Sequence, residues 1–142
     1  MTLPEKLYVT TTLILKVEDK YVIIGRKNPQ YGFALPGGFL EPYLDAVQNG
    51  IKEGKEETNL EIDIINPTTP MVYSSPKRDP RSRVVDLVFI ANGSGNLKAG
   101  SDAKQTYLLE LEDLVSMFDQ NKFAFDHEEI LKTYLRMEGL YD

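Results

Sequence analysis

Residues 35–60, LPGGFLEPYLDAVQNGIKEGKEETNL, restrict the fold of this 142-residue chain more than any other segment. A Pro-Gly-Gly turn leads into residues 45–58, which we predict to form a helix. At about 100° per residue, Glu57 lies about 40° from Glu53 on the helical wheel, and Glu56 lies about 60° away on the other side. Three carboxylates therefore share one arc of the helix, directly after a turn whose glycines allow backbone atoms to approach a ligand closely.

Two interpretations of this acidic arc are open. In the first, the glutamates converge on a hard divalent cation, because Mg²⁺ takes oxygen ligands and bridges a few carboxylates to substrate phosphates. In the second, they form a solvated acidic face with Lys52 and Lys55 as neighbours. Beside the arc, the wheel predicts a narrow buried stripe of small and apolar residues. Its members are Leu44, Val47, Ile51, Gly54 and Thr58.

The rest of the chain mixes strand-like and helix-like segments without a regular βαβ repeat. Runs rich in β-branched and aromatic residues predict strands at 7–17, 21–25, 61–65, 71–74, 84–91 and 105–111, with a short apolar run at 33–35. Turns are predicted at 18–20, where the strands 7–17 and 21–25 form a hairpin, and at 92–95. Helices are predicted at 45–58 with Asp45 as N-cap, at 111–118, and at 126–139 with Ile130, Leu131, Tyr134 and Leu135 on one buried face. This mixture predicts a single α+β domain over residues 1–142, with a mixed sheet between helices.

Composition excludes several classes of function. The chain has no cysteine, so it has no disulfides, thiolate metal sites or thiol nucleophiles. Its net charge of −6 disfavours long nucleic acids and anionic membrane surfaces as partners, whereas a small phosphate-bearing ligand fits if cations mediate the contact. No run approaches the roughly 18 apolar residues of a membrane span, and the N-terminus does not resemble a signal peptide. We therefore expect a cytoplasmic protein without a membrane segment.

The Gly-Gly and glutamate segment resembles the Nudix box, which in that family reads G-x5-E-x7-R-E-U-x-E-E-x-G-U, with U aliphatic. Gly38 takes the first position, Glu53 follows the arginine position, Glu56 and Glu57 form the E-E pair, and Leu60 ends the box. Three further stretches, GRKNPQYGFALPGGFLE, YSSPKRDPRSRVV and FAFDHEEIL, look like the subgroup that hydrolyses ADP-ribose and related compounds. The resemblance implies an α/β/α sandwich that hydrolyses a nucleoside diphosphate linked to another moiety, with ADP-ribose as the best named substrate.

The resemblance also assigns roles to single residues. It implies Mg²⁺, or Mn²⁺ in its place, held by Glu53, Glu56, Glu57 and the backbone carbonyl of Gly37, with Glu53 and Glu57 as the catalytic carboxylates. The general base is open between Glu53 and an acid on a later loop. A small nucleotide is the implied partner, and a homodimer the implied assembly.

Candidate substrate contacts are cations and aromatic rings outside the helix. They are Arg26, Arg78, Arg81 and Phe125, with Tyr31 and Phe33 as further rings suited to stack an adenine. Each has a simpler explanation as loop charge or core packing. His127, the only histidine, fits the start of the last helix, where Asp126 is a good N-cap, as well as a catalytic role.

Four positions of the box differ from the family pattern. The replacements are Leu44 for glutamate, Lys52 for arginine, Gly54 for an aliphatic residue and Asn59 for glycine. Asn59 can adopt the left-handed conformation that a glycine supplies at the end of a helix. Lys52 keeps the charge but lacks the planar fork of donors, so it would orient the neighbouring glutamate more loosely. An additional acid usual in such families is replaced by Gln105, with Asp102 nearest. These losses motivate an alternative function, a catalytically weakened Nudix-like domain that binds a nucleotide as a sensor.

Overall fold

The computed structural model describes residues 2–3, 5–26, 32–100 and 103–142. Within these ranges, eight strands form one mixed sheet that lies between three helices. The strands are β1 (Tyr8–Val17), β2 (Lys20–Arg26), β3 (Phe33–Ala34), β4 (Gly37–Phe39), β5 (Glu61–Ile64), β6 (Met71–Tyr73), β7 (Val84–Ser94) and β8 (Ala103–Leu109). The helices are α1 (Ala46–Thr58), α2 (Leu111–Ser116) and α3 (His127–Met137). The predicted α+β class and sandwich architecture are confirmed.

Strand β1 forms the centre of the sheet. It pairs in parallel with β7 and antiparallel with β2 and β4. The main path of the sheet is β3-β2-β1-β7-β5, with β8 paired to β2 and β6 paired to β7. On β1, Thr12 lies opposite Gly37, Thr11 lies opposite Gly38, and Thr10 lies opposite Asp86 of β7. The register therefore fixes the Gly-Gly segment to the central strand.

The backbone explains two differences from the predicted elements. The glycines at 37 and 38 belong to a strand paired with β1 rather than to a turn. Glycine permits this pairing, because Gly37 approaches the carbonyl oxygen of Thr11 so closely that a Cβ would overlap it. Strand β7 also continues into the predicted turn at 92–95, since its last residues pair with β5 as far as Ser94. The chain leaves the strand at Gly95, whose φ of 108° is easily adopted only by glycine.

The predicted β1–β2 hairpin is confirmed. Lys16 pairs with Tyr21 across it, and the turn residues Glu18 and Asp19 have φ angles of 48° and 68°. Two consecutive left-handed residues are typical of the tight turns whose twist matches that of paired strands. This hairpin brings β2, and through it β8, alongside β1.

Alternation along β1 divides the interior into two hydrophobic clusters. Ile14 packs with the buried residues of α2 and α3 on one face, while Leu13 and Leu15 pack on the face that α1 covers. The predicted stripe of α3 is confirmed, since all four of its residues are at most 1% exposed: Ile130, Leu131, Tyr134 and Leu135. The sheet therefore presents one side to α1 and the other to α3.

Helix α1 packs closer to the sheet than its apolar stripe predicts. Its buried residues are Asn49, Gly50, Gly54 and Thr58, whereas the predicted stripe residue Ile51 is 37% exposed. A Cβ on Gly54 would lie 2.6 Å from Leu13 Cδ1 and 3.2 Å from Ile62 Cγ1. The glycines therefore let the helix lie directly on the strands. The inner face of the helix carries Asn49, whereas Ile51 of the predicted stripe is exposed.

Both ends of α1 follow the sequence-based prediction. Asp45 accepts a hydrogen bond from the Gln48 N–H, and the Gln48 side chain accepts one from the Asp45 N–H, which forms a capping box. Asn59 ends the helix with a φ of 66°, the left-handed conformation that a glycine often supplies there. None of the helices in the described ranges has the length and apolar character that a membrane span requires.

Candidate active site

The acidic side of α1 lies against β4. Glu57 Oε1 accepts a hydrogen bond of 2.7 Å from the backbone N–H of Gly37. One turn earlier, the carboxyl carbon of Glu53 lies 2.7 Å from the position that a Cβ on Gly38 would occupy. Both carboxylates are half-buried, and both reach the Gly-Gly segment. The structure therefore brings together Glu53, Glu57 and Gly37, as the sequence predicts.

Glu56 has a different environment. Its Oε1 lies 2.7 Å from Lys52 Nζ, which also lies 3.2 Å from Glu41 Oε2. The hydrogen bonds to Glu56 and Glu41 raise the pKa of Lys52 to about 12. The lysine at the family's arginine position thus binds Glu56 and the loop residue Glu41, and a role of Glu56 as a metal ligand stays a prediction.

The donor set at this segment suits a hard cation. Among the described residues, no three carboxylate or imidazole side chains converge to hold a metal on their own. Mg²⁺ does not require such a cage, because it commonly binds through one or two carboxylates together with waters and substrate phosphates. Glu53 and Glu57 supply two carboxylates, and the missing side chain of Gly38 leaves the space that Glu53 enters. The residues present therefore fit Mg²⁺ or Mn²⁺.

A loop after β7 closes over the C-terminal end of α1. The N–H of Gly100 donates to the carbonyl of Glu57 at 3.0 Å, and that of Lys98 donates to Thr58 at 2.8 Å. Gly100 approaches the carbonyl oxygen of Glu56 so closely that a Cβ would overlap it. These contacts hold the last turn of the helix, in which the two adjacent glutamates lie. Asp102, the nearest candidate for the additional acid, lies outside the described residues, and Gln105 accepts a hydrogen bond from the Tyr107 hydroxyl.

On the α3 side of the sheet, Arg81 lies between two aromatic rings. Its guanidinium carbon is 4.8 Å from the ring centre of Phe39 and 4.7 Å from that of Phe125. Asp79 holds the guanidinium through Nε and Nη2, the latter at 2.7 Å, which leaves Nη1 as a donor that Asp79 does not use. Burial opposes ionisation of Asp79, but the hydrogen bonds from Arg81 hold its pKa below the usual value. Two predicted substrate contacts, Arg81 and Phe125, are therefore adjacent, and Phe39 directly follows the Gly-Gly segment.

Arg78 lies deeper than Arg81. Its Nε and Nη2 donate to the two carboxylate oxygens of Asp126 at 2.9 and 2.6 Å, and its side chain is 4% exposed. Nη2 also lies 3.5 Å from Asp86 Oδ2. Asp126 occupies the N-cap position of α3, but its side chain forms no capping bond because it binds Arg78. The structure thus places the predicted substrate contact Arg78 in a buried ion-pair network that joins α3 to the sheet.

Asp86 is the most unusual acid of this network. It is 0% exposed, and its Oδ1 accepts hydrogen bonds from the hydroxyls of Thr10 and Thr12 at 2.9 and 2.8 Å. Its Oδ2 accepts none within the described part of the chain. Because burial penalises the charged form more than the threonines and Arg78 favour it, the pKa of Asp86 rises to about 6.

His127 supports the backbone before the Gly-Gly segment. Its Nδ1 accepts a hydrogen bond of 2.9 Å from the N–H of Leu35, and the residue is 5% exposed. The neutral ring therefore carries its proton on Nε2. The ring also packs against Phe125, with ring centres 5.2 Å apart. His127 begins α3, as the simpler explanation predicts.

The remaining predicted contacts are distributed elsewhere. Phe33 packs against Tyr107 and Phe123 at the edge of the core, in agreement with core packing. Tyr31 and the side chain of Arg26 lie outside the described residues. Sequence reasoning missed Asn49 and Asp86. Asp86 had a signal, since it is a charged residue within an apolar strand, and Asn49 had one in its spacing of four residues from Glu53.

Comparison with known proteins agrees with this geometry. The family model described as NUDIX domain matches residues 7–134. An ADP-ribose pyrophosphatase from Methanocaldococcus jannaschii is 42% identical over 129 residues, which cover 89% of this chain and 72% of that protein.

Two solved structures show the same fold. A MutT/nudix family protein from Enterococcus faecalis is 27% identical with a TM-score of 0.75, and the match covers 96% of this chain and 66% of that one. A bifunctional NMN adenylyltransferase/ADP ribose pyrophosphatase from Francisella tularensis, complexed with AMP and a Mn ion, is 25% identical with a TM-score of 0.81. That match covers 96% of this chain but 43% of the bifunctional chain. The family match and the 42% identical relative confirm the predicted enzyme class, a Nudix-type pyrophosphohydrolase, and this chain belongs to the NUDIX domain family.

Proposed function

We propose that this chain hydrolyses a nucleoside diphosphate linked to another moiety, with ADP-ribose as the substrate and Mg²⁺ as the cofactor, which Mn²⁺ replaces. The observation that supports this most is the contact of Glu53 and Glu57 with the Gly-Gly segment of β4. The names of two relatives point the same way, since one is an ADP-ribose pyrophosphatase and the other was solved with AMP and Mn.

Glu53 and Glu57 would hold the metal, with Glu56 and the carbonyl of Gly37 completing the predicted set. Bound Mg²⁺ supplies charge neutralisation at the diphosphate and lowers the pKa of an attacking water. The protein contributes orientation, because the Gly37 N–H fixes Glu57 and the space above Gly38 accepts Glu53. Glu53 or an acid on a later loop takes the proton of the water.

On the other side of β4, the aromatic rings and Arg81 form the surface that we assign to the nucleotide. The guanidinium offers a planar cation whose Nη1 is not used by Asp79, which suits a phosphate or ribose oxygen. Phe39 and Phe125 flank it and suit an adenine ring. Water attack on one phosphorus then breaks the P–O–P bond and gives AMP and ribose 5-phosphate.

The test is release of AMP from ADP-ribose with Mg²⁺, followed by chromatography, for the wild type and for Glu57→Gln and Glu53→Gln. We expect activity that EDTA abolishes and that each substitution lowers by at least about 100-fold. Glu61→Gln is the matched control, because Glu61 lies just beyond α1 and pairs with Lys55.

Two results would contradict the proposal. Failure of the folded wild type to cleave ADP-ribose or any member of a broad nucleotide panel would exclude hydrolysis of this class. A nucleotide that raises the melting temperature without being cleaved would instead support the alternative of a weakened binding domain. The implied homodimer stays a prediction, which the mass in solution tests.

A further inference from the structure

Three side chains on α1 match three consecutive residues of β4. Asn49, Glu53 and Glu57 are spaced by four residues and therefore lie on one side of the helix. Asn49 Nδ2 donates to the carbonyl of Phe39, Glu53 lies over Gly38, and Glu57 accepts from the N–H of Gly37. Each turn of the helix thus contacts one residue of the strand. Asn49 is the only uncharged side chain of these three.

Asn49 also connects α1 to two other segments. Its Nδ2 donates to Thr11 Oγ1 at 2.8 Å as well as to Phe39 O at 3.2 Å, and its Oδ1 accepts from the N–H of Glu41 at 3.1 Å. The residue is 0% exposed. A buried amide that uses both its donors and its acceptor fixes one relative arrangement of its neighbours, because a shift would leave polar atoms unpaired. Here the neighbours are the central strand, the Gly-Gly strand and the loop that follows it.

We infer that Asn49 is a positioning residue, which sets the register of α1 on β4 and so places Glu57 at Gly37 and Glu53 at Gly38. The inference rests on the proposed function only where it concerns metal binding. It differs from a purely stabilising role, in which loss of Asn49 would lower the free energy of unfolding without moving the glutamates.

The first experiment needs neither metal nor substrate. Hydrogen exchange at the Gly37 amide reports on its bond to Glu57, and we expect it to become about tenfold faster in Asn49→Ala, while amides in the middle of β7 keep their rates. Gln48→Ala is the matched control, since Gln48 is exposed, precedes Asn49 and forms its hydrogen bonds with the helix cap residue Asp45. This substitution weakens the helix, but we expect the ratio of the Gly37 exchange rate to the β7 exchange rates to equal that of the wild type.

The second experiment measures binding of Mn²⁺ alone, by electron paramagnetic resonance titration. We expect Asn49→Ala to bind Mn²⁺ about tenfold more weakly, Thr11→Val to lie in between, and Gln48→Ala to match the wild type. Thr11→Val removes one acceptor and leaves the helix unchanged. If Asn49→Ala does not fold, Asn49→Asp keeps the acceptor for the Glu41 N–H and loses both donated bonds, and we expect the same faster exchange at Gly37.

The outcomes separate this inference from the proposed function. Unchanged exchange at Gly37 in a folded Asn49 variant would overturn the positioning role, whatever the activity. A wild type that binds no Mn²⁺ and cleaves no nucleotide would contradict the proposed function, while the exchange rates would still decide the role of Asn49.

Discussion

The carboxyl carbon of Glu53 lies 2.7 Å from the position that a Cβ on Gly38 would take. In Gly38→Ala the methyl group and the carboxylate cannot occupy the same space. The flexible glutamate yields more easily than the paired strand, so we expect a loss of roughly 10- to 100-fold in kcat with little change in melting temperature. Turnover of ADP-ribose and thermal unfolding test this. Gly25→Ala is the control, because its nearest contact would be an ordinary 3.5 Å.

Gly37→Ala should fail in a different way. Its Cβ would overlap the backbone oxygen of Thr11 and lie 3.0 Å from Thr12 Cα, and neither belongs to a flexible side chain. We expect a loss of about 1–3 kcal/mol in the free energy of unfolding, which urea titration measures. A midpoint equal to that of the wild type would show that β1 and β4 separate more easily than their pairing indicates.

Lys52→Met should strengthen metal binding. The ammonium lies 2.7 Å from Glu56 and therefore competes with a divalent cation for that carboxylate. We expect the Kd of Mn²⁺ to fall several-fold, as measured by calorimetry at low ionic strength. Lys55→Met is the control, because Lys55 pairs with Glu61 instead. Weaker binding in Lys52→Met would show that the lysine orients the glutamates more than it competes for them.

Arg81→Lys should weaken substrate binding while sparing the chemical step. Lysine lacks the planar group that lies between Phe39 and Phe125 and cannot bind Asp79 through two parallel donors. We expect KM for ADP-ribose to rise about tenfold with kcat nearly unchanged, which corresponds to loss of about 1.4 kcal/mol of binding. Arg136→Lys removes a similar contact, with Tyr141, and should leave KM unchanged.

The buried Asp86 should make stability depend on pH. Its pKa rises from 3.8 in the unfolded chain to about 6 in the folded protein. Between these values the folded state binds more protons, so the free energy of unfolding falls as the pH increases and becomes constant above about pH 7. At about 1.4 kcal/mol per pH unit, the loss amounts to about 3 kcal/mol.

Comparison with Asp86→Asn isolates this contribution, because the substitution removes the titrating group while other carboxylates still titrate. The difference in unfolding free energy, wild type minus variant, should be about 2 kcal/mol larger at pH 4 than at pH 7. A difference that is constant with pH would mean that the pKa of Asp86 is the same in the folded and unfolded states, with Arg78 and the two threonines offsetting the effect of burial.

Local sequence signals predicted most of the fold. The β1–β2 hairpin, the Asp45 cap, the left-handed Asn59 and the buried stripe of α3 all follow from residues close together in the chain. The predictions failed where distant pairing decides the structure. Local propensity predicts a turn at 92–95, but Glu61 to Asp63 pair with Asn92 to Ser94 and extend β7.

The candidate site shows the same limit. Glu53 and Glu57 could be predicted as a pair from helical spacing alone, whereas the ion pair of Lys52 with Glu41 depends on how the loop folds back. Nothing local indicated that Arg78 would lie buried against Asp126 and Asp86, because its partners are 48 and 8 residues away. Ion pairs between residues distant in the sequence can be predicted only when the register of the strands is known.

The two glycines on the inner side of α1 also set the distance between the helix and the sheet. A helix with side chains at 50 and 54 would stand farther from β1, because Leu13 and the isoleucines of β5 already fill the space beside both glycines. A glutamate side chain has a limited length. If the helix lay farther from the sheet, its carboxylates would lie farther from β4. Each glycine lowers the intrinsic stability of the helix by about 1 kcal/mol relative to alanine. In return, the short distance between helix and sheet lets Glu53 and Glu57 contact the Gly-Gly segment of β4.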